Sequence, residues 1–210
     1  MSFKHKRAWI VLLIASLAAC HSVDRRLANR ENFKLALQAY LSSHGDMCIG
    51  KFNWPIDVSY HDAQARSADS LQLPVMQKMG LVSAQQIDGK GEPVMRYQLT
   101  EAGRKFYLHK PMQSLTPQGT VLTHDGDFCY GRIQPDQIIG WDRIQQVQGQ
   151  PQTVVTYTYR IDAEPWTRNA DVRRVFPVVA MIVDSGGVLQ LKQTLRLSDK
   201  GWVGVVATRY

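Results

Sequence analysis

Apolar positions along the chain change their spacing several times, and each change predicts an element. Residues 8–19 are an almost unbroken apolar run behind the basic Lys4, His5, Lys6 and Arg7. Residues 21–28 read as a tether or the lead into a helix. From Arg30 to about Ser43 the spacing becomes helical, with Phe33, Leu37, Tyr40 and Leu41 on one stripe, Asn29 as the cap and Gly45 as the stop. Ile49 to Val58 reads as extended and broken at Trp54-Pro55, and Ser59 to about Asp69 as a polar loop.

Leu71, Leu73, Val75, Met76 and Met79 mark a short helix that ends at Gly80, with Pro74 tolerable only in its first turn. Leu81-Val82 opens a strand, Asp88 to Glu92 supplies a turn, and Val94 to Leu99 returns as the partner strand. Thr100 caps a helix from Glu101 to Tyr107. Residues 108–118, with Pro111 and Pro117, read as a linker. Beyond Thr120 the period is two. Thr153–Ile161 and Leu189–Leu197 alternate cleanly, so a one-sided antiparallel sheet is expected. Asn169 caps a short helix through Val172, Val175 and Phe176, which Pro177 ends. Val178–Val183 reads as a buried strand, Ser185-Gly186-Gly187 as a hairpin turn, and Trp202–Thr208 as the closing strand. The expected fold is therefore α+β: a helical N-terminal part, then an antiparallel sheet covered by the helix near residue 170.

The N-terminal pattern decides location. A basic start, a short apolar core and small residues before a cut site describe an export signal. About a dozen apolar residues are too few for a bilayer, which needs roughly 20 as a helix. Leu17-Ala18-Ala19-Cys20 resembles the lipobox of bacterial lipoproteins. That resemblance implies cleavage before Cys20 and acylation of its sulfur and new amine, and multiple acyl chains hold a membrane firmly where one does not. His21 follows the cysteine instead of the Asp that marks inner-membrane retention, so the resemblance implies the outer membrane, on its periplasmic face. The expected organisation is a signal peptide over 1–19, a helical part over 20–110 and a sheet over 111–210.

A second resemblance is local. Met79-Gly80-Leu81-Val82 followed by Tyr97-Gln98-Leu99-Thr100-Glu101-Ala102-Gly103-Arg104 is similar to the wing of winged-helix proteins, with the pattern "GL(I/V) … YxLTxxGR". It covers about thirty residues and implies a hairpin packed on a helix. The helix ahead of it offers Gln72, Gln77 and Lys78, a thin supply where phosphate contacts from Lys and Arg carry most of the affinity for DNA. No nucleic-acid partner is expected.

Composition adds little. The 210-residue chain carries a formal charge of +7, which falls to +4 once Lys4, Lys6 and Arg7 leave with the signal, and the remaining cations are dispersed. An anionic envelope surface is their nearest counter-charge. With Cys20 assigned to lipid, Cys48 and Cys129 remain, and in an oxidising compartment two such cysteines form a bridge. Closing that loop stabilises by roughly 4 kcal/mol on chain-entropy grounds.

The sequence carries no nucleophile elbow, P-loop, dinucleotide fingerprint or zinc signature. His21, His44, His61, His109 and His124 share no ligand spacing. His124-Asp125-Gly126-Asp127 is nearest to a metal loop, but it lacks the carboxylates of a calcium site and reads first as a turn. Trp54, Tyr130, Trp141, Trp166 and Trp202 are read as core before they are read as a glycan or peptide groove. Asp57, Asp62, Asp136 and Asp142 could act as glycosidase carboxylates only if the fold paired them. The expectation is thus a lipid-anchored, non-catalytic binding or envelope-assembly module without catalytic, metal or cofactor residues. Its partners are the membrane, through its lipid, and an envelope protein. A cell-wall-directed enzyme and a winged-helix DNA-binding protein are the alternatives.

Overall fold

A computed structural model describes residues 24–89, 91–115 and 119–206. The signal segment and Cys20 lie outside the described residues, as does the end of the strand expected over Trp202–Thr208. The chain opens with α1 (Arg30–His44), followed by β1 (Asp46–Cys48) and β2 (Ile56–Val58). Two helices, α2 (Tyr60–Gln64) and α3 (Ala68–Lys78), lead into the hairpin β3 (Val82–Gly89) and β4 (Glu92–Leu99). The one-turn α4 (Glu101–Arg104) precedes the short strands β5 (Tyr107–Leu108), β6 (Met112–Leu115) and β7 (Val121–His124). Two long strands come next, β8 (Asp127–Trp141) and β10 (Gln150–Ala163), with β9 (Gln145–Val147) between them. After a 3-10 turn over Pro165–Arg168 come α5 (Ala170–Val175), α6 (Pro177–Asp184), β11 (Gln190–Ser198) and β12 (Gly201–Gly204).

A curled antiparallel sheet of seven strands dominates, in the order β1-β8-β10-β11-β12, with β5 joined to β8 and β9 to β10. A second sheet has the order β2-β4-β3, and β6 pairs with β7 alone. The expected α+β division into a helical N-terminal part and a following sheet is corrected by this arrangement. Among the described residues strand outnumbers helix, 42% against 30%, and the helices are scattered. The physical reason is long-range pairing. Early strands β1 and β5 both belong to the large sheet, and α1 buries its stripe on that sheet instead of on other helices.

Helix α1 follows the sequence closely. Asn29 accepts from the Asn32 amide at 2.8 Å, and Phe33, Ala36, Leu37 and Leu41 form the buried stripe. They pack on Ile133, Ile138, Val155, Tyr157, Tyr159, Leu195 and Trp202. This helix, and not the one near residue 170, covers the large sheet. The helix ends at Gly45, and glycine is required there because a Cβ would sit 2.6 Å from the Leu41 carbonyl oxygen and 2.7 Å from that of Ile133. On β10, Val155, Tyr157 and Tyr159 are buried as the alternation requires and Ile161 is half-buried, but Thr158 of the opposite face is buried too.

The second core lies under the small sheet. Leu73, Val75 and Met76 of α3 meet Val82, Tyr97, Phe128, Trp166, Val172, Phe176 and Val179. Three expectations fail in this half of the molecule. Val178–Val183 is helical, not a buried strand: Pro177 occupies the first helical position, where its missing N–H costs nothing, and only Val179 of the run is fully buried. A short apolar run fits strand and helix equally by periodicity. Pro177 therefore starts α6 as well as following α5. Ser185-Gly186-Gly187 is consequently the exit from α6, with the Gly187 amide donating to the Tyr159 carbonyl at 2.7 Å. The polar stretch after Ser59 contains α2, held by a reciprocal cap in which the Ser59 hydroxyl accepts from the Asp62 amide and the Asp62 carboxylate accepts from the Ser59 amide.

Candidate functional site: a groove beside the hairpin

Most residues singled out in the sequence hold structure together. Cys48 and Cys129 stand opposite each other across β1 and β8 and form a disulfide, which links positions 81 residues apart. The chemistry-bearing run at His124 is a loop staple. His124 is buried, stacks on Phe52 with ring centroids 4.1 Å apart, and its Nδ1 lies 2.6 Å from the Gly126 carbonyl. Asp127 is buried and accepts from three main-chain amides: Phe128 at 2.7 Å, Lys51 at 2.8 Å and Gly50 at 3.2 Å. Burial pushes its carboxyl up, and those three bonds with the nearby His124 oppose the shift. Among the described residues no group of three or more His, Cys, Asp or Glu is placed to hold a metal ion.

The four candidate carboxylates do not meet. Asp57 is gripped by both guanidinium nitrogens of Arg96 at 2.7 Å, which holds it below the usual carboxylate range. Asp62 is lowered by the Ser59 hydroxyl and amide that it caps. Asp136 faces Arg160 at 3.6 Å, and Asp142 is exposed at the end of β8. The aromatics also separate. Tyr130, Trp166 and Trp202 are buried, and Trp141 sits edge-on to Phe33 at 5.0 Å. Trp54 lines a cleft of about 420 Å³ with Phe52, Tyr107, Arg104 and His109, and Trp202 contributes to the wall of a smaller pocket of about 120 Å³. His44 stacks on Tyr40 and His61 lies on α2, so among the described residues the histidines form no cluster; His21 lies outside them.

The motif Tyr97 to Arg104 is a clasp. The Thr100 hydroxyl donates to the Gly80 carbonyl at 2.6 Å and accepts from the Gly103 amide at 3.0 Å. At Gly103 a Cβ would fall 1.9 Å from the Leu81 carbonyl oxygen, so only glycine lets α4 pack against the start of the hairpin. Arg104 then donates to the Leu99 carbonyl at 3.1 Å. Thr100, Gly103 and Arg104 together close the base of the hairpin.

Above that clasp the hairpin, α2 and α3 enclose an open groove of about 570 Å³. Val58, Tyr60, Pro74, Pro93, Met95 and Tyr97 make its walls apolar, with Ser70, Gln86 and Glu92 as its polar points. Alternation on β4 aims Met95 and Tyr97 to this side and Arg96 to the other, where it meets Asp57 across the register pair Asp57–Arg96. Tyr60 is 68% exposed on the rim. Helix α3 begins at Ala68, six residues before Pro74, so the proline is interior and not in the first turn as expected. Proline has no N–H to give the carbonyl four residues back. The Ser70 carbonyl thus lacks its usual helical donor, and both Ser70 and Pro74 face the groove. Sequence reasoning missed this groove, and Pro74 inside an apolar helical stretch was the one signal of it. Lys51 was missed as well: it is 6% exposed and pairs with Asp69 at 2.6 Å, tying the loop before Trp54 to α3.

No family model matches the chain, and no curated protein or solved structure matches it.

Proposed function

We propose that this chain is a lipid-anchored envelope protein, held through Cys20 on the periplasmic face of the outer membrane, that acts as a non-catalytic binding module. The ligand is an extended segment of a partner polypeptide, seated in the groove between α2, α3 and the hairpin. The groove itself carries the reading. Its walls are apolar and its volume of about 570 Å³ suits several side chains, with Ser70, Gln86 and Glu92 as polar points along it. The export signal, the lipobox and the Cys48–Cys129 bridge support an oxidising envelope compartment. Of the residues that could face DNA on α3, Gln72 is engaged by α5, donating to the Val175 carbonyl at 3.1 Å, which leaves Gln77 and the single cation Lys78 exposed.

The test is a photo-crosslinking residue placed at Tyr60 in cells, compared with the same residue at exposed Leu122 of β7. A discrete adduct from position 60, absent from position 122 and lost on Met95→Glu, is the expected result. An adduct pattern common to both positions, or one indifferent to Met95→Glu, would overturn the groove as the binding site.

A further inference from the structure

The lipid anchor fixes more than attachment. Asp24 is four peptide steps from Cys20, and a fully extended chain spans at most about 3.5 Å per residue, so the Cα of the acylated residue lies within roughly 14 Å of that of Asp24. Residues 24–27 are themselves pinned. Asn32 Nδ2 donates to the carbonyls of Asp24 at 2.8 Å and Leu27 at 2.9 Å, and Trp202 Nε1 donates to the Arg26 carbonyl at 3.2 Å. Gly201, at φ +111°, lets Arg25 pack so closely that a Cβ there would meet it at 2.8 Å. The chain therefore leaves the fold at one defined place.

What surrounds that place suits a lipid surface. Leu27 is 56% exposed and Leu35 49% exposed, two large apolar side chains at the same end of α1. Leu35 is also a wall of a small pocket of about 120 Å³ that it shares with Arg25, Lys200, Ala36 and Trp202. Among the described residues neither cation has an ion-pair partner. Asp24, Glu31 and Asp199 share this end, so attraction is local to the pocket and not a field of one sign.

We infer that this end of the molecule rests on the phospholipid surface that holds the anchor. Leu27 and Leu35 enter the interface, and Arg25 and Lys200 bracket a headgroup phosphate. The inference depends on the lipid anchor proposed above. Burying the two leucines adds contact area that the acyl chains alone do not supply, and a phosphate between two cations gains charge-assisted hydrogen bonds. The opposite end of the nine-residue β11 leads back to exposed Val188, about 30 Å away along the strand, and is held off the bilayer.

The experiment uses the full lipidated chain in phosphatidylethanolamine–phosphatidylglycerol vesicles doped with nitroxide lipids. A fluorophore is placed on Leu35→Cys or on Val188→Cys. Vesicle flotation and intact mass report the anchor separately. With the chain acylated and floating, quenching is expected to be several-fold stronger at 35 than at 188, and to fall when Arg25→Glu and Lys200→Glu are combined. A floating, acylated chain quenched equally at both positions, or unaffected by the double reversal, would overturn the docking face and leave the anchor standing. A chain that neither floats nor carries acyl mass would overturn the anchor, and this inference with it.

Discussion

The two hydrophobic cores are built from the same residue types but are finished differently. Over the large sheet, α1 lays Phe33, Leu37 and Leu41 along β8, β10 and β11. Under the small sheet, α3, α5 and α6 fill the base, yet toward the tip of the hairpin Met95, Pro93 and Tyr60 line an open groove. Polar groups divide in the same way. Near the disulfide, Asp127 and Lys51 are matched to partners inside the fold, whereas at the groove a proline leaves the Ser70 carbonyl without its helical donor. The difference teaches where packing closes the molecule and where apolar surface is left open, as the proposed binding groove requires.

Alkali probes both cores at once. Burial pushes the phenols of Tyr130, in the core below the hairpin, and Tyr157, in the core below α1, up to about 12. A raised acid favours the protonated form in the fold, so the stabilisation is complete below pH 10 and declines as pH climbs from 10 toward 12, where the unfolded chain gives up its protons first. At about 1.4 kcal/mol per unit and group, the two together remove roughly 5 kcal/mol. Circular dichroism against pH reads this, and Tyr157→Phe should abolish about half of the loss.

Phe33→Ala addresses the α1 core alone and should cost about 3–5 kcal/mol in urea unfolding, since its ring is wholly buried and touches Trp141 and Trp202. Removing the bridge with Cys48→Ser and Cys129→Ser should cost about 2–4 kcal/mol, because it releases a span of 81 residues between β1 and β8. Met95→Glu in the groove should change stability by no more than about 0.5 kcal/mol, because its side chain is already partly in water, while the crosslink from position 60 disappears. If Met95→Glu proved as damaging as Phe33→Ala, the contrast between the closed core and the open groove would be lost.

Local features were legible in the sequence and distant ones were not. Asn29, the three-and-four spacing of α1 and Gly45 suffice to mark that helix, because capping and amphipathicity act within a few residues. The hairpin and its Thr100 cap were equally readable, and the bridge followed from cysteine count and compartment. Which surface α1 covers depends on β8, about a hundred residues later, and no local pattern encodes that. The helix α6 was hidden because Val178–Val183 has no polar face to set a period. The groove was hidden because it is a surface left uncovered by three elements, and only Pro74 hints at it.

The measurement that reaches the central claim most directly is intact mass on protein extracted from membranes, with alkylation before and after reduction. The account predicts loss of residues 1–19, added acyl mass on Cys20, and two alkylatable thiols that appear only after reduction. A full-length, unacylated chain whose cysteines react without reductant would contradict it.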